Sequence, residues 1–251
     1  MKAALFALMV AGAALDNDGL FALYAQGHYE EAMRAGAAAD SAAGFAIAAR
    51  AALADAMMHP KPCLPCLKRG EDFARRAVAA DWNAPDGHVW LAAALGYQAR
   101  IVGLLRARLD DVPAQAKEHL DAALKAQPDN AYALAALGGW HVEVVRTGGD
   151  FLAEKLFGAS RAQAFALFDH AVKAAPRNVA VRYQIALSLS GFDAERYRGR
   201  IETELDSAIR APPETTYEKF VQGRANELLT LLKRGDQDAF ESKLRTFQGY
   251  P

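Results

Sequence analysis

The sequence predicts an all-α fold, a right-handed α-solenoid of antiparallel helix hairpins with elongated, irregular repeats. Three observations carry this expectation. One column of residues returns four times: Ala116, Leu120, Ala123 and Pro128; Ala164, Phe168, Ala171 and Pro176; Ile201, Leu205, Ala208 and Pro213; and, more weakly, Gly70, Ala74, Ala77 and Trp82. An apolar residue followed by a small one recurs after each of the first three end marks, at Leu95-Gly96, Leu137-Gly138 and Ile185-Ala186. Alanine is used heavily and β-branched runs are scarce, which favours helix over strand.

Offsets of four, three and five residues within the column fit the second helix of a tetratricopeptide (TPR) hairpin, with its end mark in the last position. Small residues let two antiparallel helices approach, a larger apolar residue fills the seam, and proline cannot continue a helix. The end marks at Trp82, Pro128, Pro176 and Pro213 are 46, 48 and 37 residues apart, against about 34 in a standard repeat. The surplus falls between the two helices of a hairpin, at Arg100 to Pro113 and Arg146 to Ser160. It predicts longer helices and added elbow segments.

Taken in order, the first 15 residues read as a secretory signal. Lys2 is a short positive region, Ala3 to Val10 is apolar, and Ala11-Gly12-Ala13 offers the small residues of a cleavage site. The alternative is a buried first helix. The apolar run is shorter than the ~20 residues that span a bilayer, and no later segment qualifies as transmembrane. No cysteine near the cleavage site argues for a lipoprotein anchor. Residues 16–251 then form one solenoid domain, expected in the periplasm. Gln26-Gly27-His28-Tyr29-Glu30-Glu31-Ala32 reads as a turn and second helix, and Leu53-Ala54 suits the next first helix. The four units of the column follow, with Gln222-Gly223 as a weaker apolar–small pair. Gly235-Asp236-Gln237-Asp238-Ala239-Phe240 repeats the turn, with Leu244 and Phe247 on its apolar face.

The totals narrow the function classes. Of 251 residues, 52% are hydrophobic and 24% charged, and 29 basic against 30 acidic residues leave a formal charge of -1. This balance gives no support to a nucleic-acid partner. Dinucleotide, P-loop, nucleophile-elbow and zincin motifs are absent, and the six histidines are scattered. The chain reads as a non-enzymatic binding or scaffold protein that calls for no cofactor or metal. Cys63-Leu64-Pro65-Cys66, in a proline-broken loop, is the only cysteine pair. An oxidising compartment favours a local Cys63–Cys66 disulfide. Thioredoxin-like chemistry would need a βαβ setting that is not visible, zinc would need a fourth ligand beyond His59, Cys63 and Cys66, and free thiols are the remaining option.

One segment is more specific. Leu137-Gly138-Gly139-Trp140-His141-Val142-Glu143-Val144-Val145 leads to Leu156-Phe157-Gly158-Ala159-Ser160, then to Ala164, Phe168, Ala171 and Pro176. This resembles the regulator of microtubule dynamics family of TPR-like proteins, which carries an LGxW…EV helix, an LFG turn and a helix ending at proline. The resemblance extends more loosely from about Glu71 to Ala211. It implies a helical solenoid, a hydrophobic groove and no catalytic residues. Eukaryotic members are linked to microtubules, to membrane contact sites and, in one branch, to phospholipid carriage by the TPR domain. For an exported bacterial chain, as the signal and alanine content suggest, only the solenoid and groove would carry over. Leu137, Gly138, Trp140, Glu143, Leu156, Phe157 and Gly158 are the family-motif positions, and structural roles suit them better than functional ones: Trp140 as a plug of the hairpin, Gly158 as the residue that permits the turn.

In a TPR the first helix of each hairpin lines the concave face. Helical period places there Ala48, Ala51, Asp55 and Met58; Trp90, Ala93, Tyr97 and Arg100; Tyr132, Ala135, Gly139, Val142 and Glu143; Ala180, Tyr183 and Leu187; and Tyr217, Phe220, Arg224 and Glu227. The groove candidates are Trp90, Tyr97, Arg100, Tyr132, Glu143, Tyr183, Phe220 and Arg224. An aromatic, sparsely charged groove suits a lipid or other apolar ligand, or an apolar helix of a protein partner, better than a peptide carboxylate. Packing of the superhelix is the competing explanation of the same aromatics. A second functional class is a protein-interaction adaptor, such as an accessory subunit of a TRAP-type envelope transporter, which would display apolar residues on the convex face or on Phe151 to Leu156.

Overall fold

Residues 15–251 are described by the structure, a computed structural model; the expected signal segment, apart from Leu15, lies outside the described residues. They form thirteen helices: α1 (Asn17–Ala25), α2 (Tyr29–Ala38), α3 (Ala42–Met58), α4 (Leu64–Ala80), α5 (Pro85–Val102), α6 (Leu104–Leu109), α7 (Val112–Ala126), α8 (Ala131–Phe157), α9 (Arg161–Ala174), α10 (Val179–Asp193), α11 (Arg198–Arg210), α12 (Thr216–Arg234) and α13 (Gln237–Gln248). The expected all-α architecture is observed, with the helices packed sequentially in adjacent pairs. Among the described residues, no helix is long and apolar enough to cross a membrane.

The repeated column does two jobs. Its small and apolar members sit on α4, α7, α9 and α11 and are buried in the seams; Phe168, Ile201 and Leu205 are fully enclosed. Two residues beyond each proline stands a helix cap. Asn130 Oδ1 accepts from the Ala133 N–H at 3.0 Å, Asn178 Oδ1 from Val181 at 2.9 Å, and Thr215 Oγ1 from Glu218 at 3.1 Å. Each proline therefore marks the end of one helix, and the residue two further on satisfies the orphan donors of the next.

The small residues of the apolar–small pairs are not equivalent. A Cβ on Gly138 would lie 2.5 Å from Phe168 Cε1, so α8 and α9 pack face to face there. Gly70 approaches Leu53 in the same way, with 2.8 Å to Cδ2. Gly96 and Gly223, expected to permit close helix contact, instead have no heavy atom within 4 Å of a built Cβ. They face open space, and their seams are closed by other residues.

The surplus residues are helical, as expected. The first adds the short α6, entered through Gly103 at φ 85°. The second prolongs α8 past Gly149, whose φ of 73° and ψ of 161° break the helix, to Phe157. Gly158 ends it at φ 63°, its N–H donating to Glu154 O at 3.0 Å while the Ala159 N–H donates to Ala153 O at 3.0 Å. Such a left-handed exit favours glycine.

The two ends of the described chain meet. Tyr217 of α12 packs against the cluster of Tyr24 and Tyr29 from α1 and α2. Gly249, after α13, lies against Met57 and Tyr97. Arg100 Nη1 donates to Gln248 O at 2.7 Å, and Gln248 Nε2 donates to Leu187 O at 2.9 Å. The last helices thus border the groove and narrow it, while part of it stays open to solvent.

Candidate functional site

The groove holds a cavity of about 1350 Å³, partly open to solvent and larger than the ~300–1,000 Å³ of ordinary small-molecule pockets. Helices α5, α8, α10 and α13 supply most of the wall, α3 and α12 add a few residues each, and the segment after α13 supplies Tyr250 and Pro251. Of the groove candidates, Trp90, Tyr97, Arg100, Tyr132, Glu143 and Tyr183 line it. So do Ala93, Gly139, Ala180 and Tyr217.

Phe220 and Arg224 do not line it. The Arg224 guanidinium lies between the rings of Phe220, 4.4 Å from its centroid, and Phe247, 4.7 Å away. Helix α13 covers that side of α12, and Arg224 borders only a small separate cavity of about 20 Å³ near Cys63. Helix α12 instead reaches the main cavity through Tyr217 at its start and through Leu231 and Leu232 at its far end. Ala135, Val142 and Leu187 are core residues packed among α8, α9 and α10.

On α3 the lining face is Arg50, Leu53, Ala54 and Met57, not the expected Ala48, Ala51, Asp55 and Met58. Sequence reasoning thus missed Arg50, and with it Tyr24 of α1. The available signal was a lone cation inside an alanine-rich run, Ala42 to Ala54.

Tyr183 has a hydroxyl that is buried without a partner, and burial pushes its ionisation far above the ordinary phenol value. It is an uncharged wall residue. Polar groups collect elsewhere on the wall, where Arg100, Glu143, Arg146, Glu241 and Arg245 stand. Arg146 Nη2 donates to Glu143 Oε1 at 2.5 Å.

The motif residues have identifiable packing roles. Trp140 is buried, and its Nε1–H donates to Pro113 O at 2.8 Å, tying α8 to the start of α7. Its ring meets Phe157 edge-on at 6.4 Å. Leu137 is buried, whereas Leu156 is exposed. Cys63 and Cys66 are disulfide-bonded at the start of α4. Among the described residues, no group of three or more His, Cys, Asp or Glu side chains could hold a metal ion.

The histidines form structural contacts. His88 Nε2 lies 2.8 Å from Trp82 O and must donate to it; its Nδ1, 2.9 Å from His119 Nδ1, is then the acceptor. His141 Nδ1 accepts from the Ser160 N–H at 3.2 Å.

A family model described as "Regulator of microtubule dynamics protein 1-3" matches residues 44–233. No curated protein matches the chain.

Proposed function

The chain belongs to the regulator of microtubule dynamics family, and from that premise we propose that it is a non-enzymatic carrier or holder of an elongated apolar ligand. The single observation that supports this most is the size and lining of the cavity, with Trp90, Tyr97, Tyr132 and Tyr183 on its wall. Aliphatic and aromatic residues predominate on a wall that also carries charged groups such as Arg100, Glu143, Arg198 and Glu241, a mixture that suits an amphiphilic, lipid-like molecule. On this reading the helix pairs stack as a right-handed TPR-like solenoid, residues 16–251 act as one domain, and the chain works in the bacterial periplasm after loss of the leader.

The test is titration with N-phenyl-1-naphthylamine, an uncharged apolar fluorophore. Wild type should bind it with a blue-shifted rise in emission. Gly96→Trp projects a large ring from α5 into the cavity and should weaken the signal without loss of helicity. Equal binding by both proteins would remove the cavity as the site.

A second reading, the protein-interaction adaptor, draws on one feature. Leu105, Leu109, Phe151, Leu152 and Leu156, all on the inserted helical segments, are exposed large apolar side chains. Pull-down from envelope extracts should then recover a stoichiometric protein that Phe151→Asp with Leu156→Asp releases; recovery of none would count against this reading.

A further inference from the structure

Arg50 stands inside the apolar run of α3, and its guanidinium is walled by rings. The carbon at its centre lies 4.5 Å from the centroid of Tyr24, 5.1 Å from Trp90, 5.2 Å from Tyr132 and 5.4 Å from Phe21. Nη2 donates to the Tyr132 hydroxyl at 3.0 Å, while Nε is buried and has no acceptor among the described residues. Arg50 takes part in none of the ion pairs among the described residues, which involve other arginines, lysines and histidines.

A guanidinium cannot shed its proton to escape burial. Ring faces attract it through their quadrupoles but do not neutralise it, and a buried cation without a counter-charge is unfavourable. The carboxyls that feel its field, Asp86 and Glu218, are both pushed upward by burial, towards the uncharged form. Arg50, Tyr24, Trp90 and Tyr132 all line the large cavity, and apolar Leu53 and Ala93 line it too.

We propose that Arg50 is the headgroup anchor of the cavity, and that its ligand is an amphiphile with an oxyanion head. The head supplies the missing counter-charge and hydrogen-bond acceptor, and the chain runs over the apolar wall. One guanidinium balances one negative charge, so a carboxylate suits the site better than a phosphate dianion. This inference rests on the ligand-holding reading above and adds to it the chemistry of the head.

The experiment is displacement of N-phenyl-1-naphthylamine by four probes of equal chain length: hexadecanoate, hexadecyl phosphate, hexadecanol and hexadecyltrimethylammonium. From the strength of a charge-assisted hydrogen bond, the oxyanions should displace it about 10- to 100-fold better than the alcohol. The ammonium should do no better than the alcohol. A stronger effect of hexadecyl phosphate than of hexadecanoate would uphold the site and identify the head as phosphate. Arg50→Gln should erase the oxyanion advantage and leave hexadecanol unchanged, with folding checked by circular dichroism. Should that variant fail to fold, the four-probe comparison on wild type decides alone. Equal displacement by hexadecanoate, hexadecyl phosphate and hexadecanol would overturn the headgroup proposal and leave the cavity reading intact. Failure of the fluorophore and all four probes would overturn both.

Discussion

Replacing Gly138 by alanine tests whether the LGxW glycine is a packing residue. A Cβ there would stand 2.5 Å from Phe168 Cε1 and 2.7 Å from Cδ1, with Ala164 O at 3.1 Å. Phe168 is fully buried, so its ring cannot swing into solvent and α8 must move away from α9. Alanine gains about 1 kcal/mol over glycine in a helix interior. Overpacking a tight core costs about 1–3 kcal/mol. The expected net effect is a loss of up to about 2 kcal/mol, read by urea denaturation with an unchanged m-value. Phe168→Leu, which removes the clashing ring edge, should couple to Gly138→Ala by about 1 kcal/mol or more in a double-mutant cycle. Gly96→Ala, with no heavy atom within 4 Å, is the control and should stabilise by about 0.5–1 kcal/mol. A stabilising Gly138→Ala with no coupling to Phe168 would refute the packing argument.

Burial holds His119 and His141 below the ordinary imidazole value of 6.5, helped by the facing His88 and by Lys117 respectively. The unfolded chain then binds more protons as pH falls through about 6.5, so stability is greatest above that value and declines below it. Tm should be lower at about pH 5.5 than at about pH 7.5, and His119→Gln with His141→Gln should flatten the slope. Comparing variant with wild type cancels the opposite contribution of Asp86 and Glu218, whose raised values favour the folded state on the acid side. Cys63→Ser with Cys66→Ser should cost only about 2 kcal/mol, because the loop closed is so short; thermal melting under reducing and oxidising conditions measures it. Trp140→Phe keeps most of the buried ring but strips the Pro113 carbonyl of its donor, and should destabilise by about 1 kcal/mol by the same assay.

The legibility of the site differed from helix to helix. On α5, Trp90, Ala93, Tyr97 and Arg100 were placed on the lining face, and they are there. Helix α3 is buried almost all round, so no stripe fixes its phase. A shift of one residue turns the face by about 100°, which is why Ala51 was expected in place of Arg50. On α12, Tyr217 was placed correctly, while Phe220 and Arg224 lie under α13, an atypical terminal element whose docking has no periodic signal. The meeting of the two ends of the described chain could not be read for a related reason. It depends on contacts such as Arg100 to the Gln248 carbonyl, which join residues far apart in the chain and leave no local pattern. The repeated column was legible because each member has a local role, whether seam residue, helix stop or the spacing to the next cap.

The most direct test of the central claim is native mass spectrometry of the protein purified without detergent, beside Gly96→Trp prepared in the same way. Wild type should carry a discrete added mass that organic solvent extracts, and the folded variant should carry less of it. Wild type that is bare and stays bare after exposure to hexadecanoate and hexadecanol would contradict it. The aromatic wall of Trp90, Tyr97, Tyr132 and Tyr183 would then be packing alone.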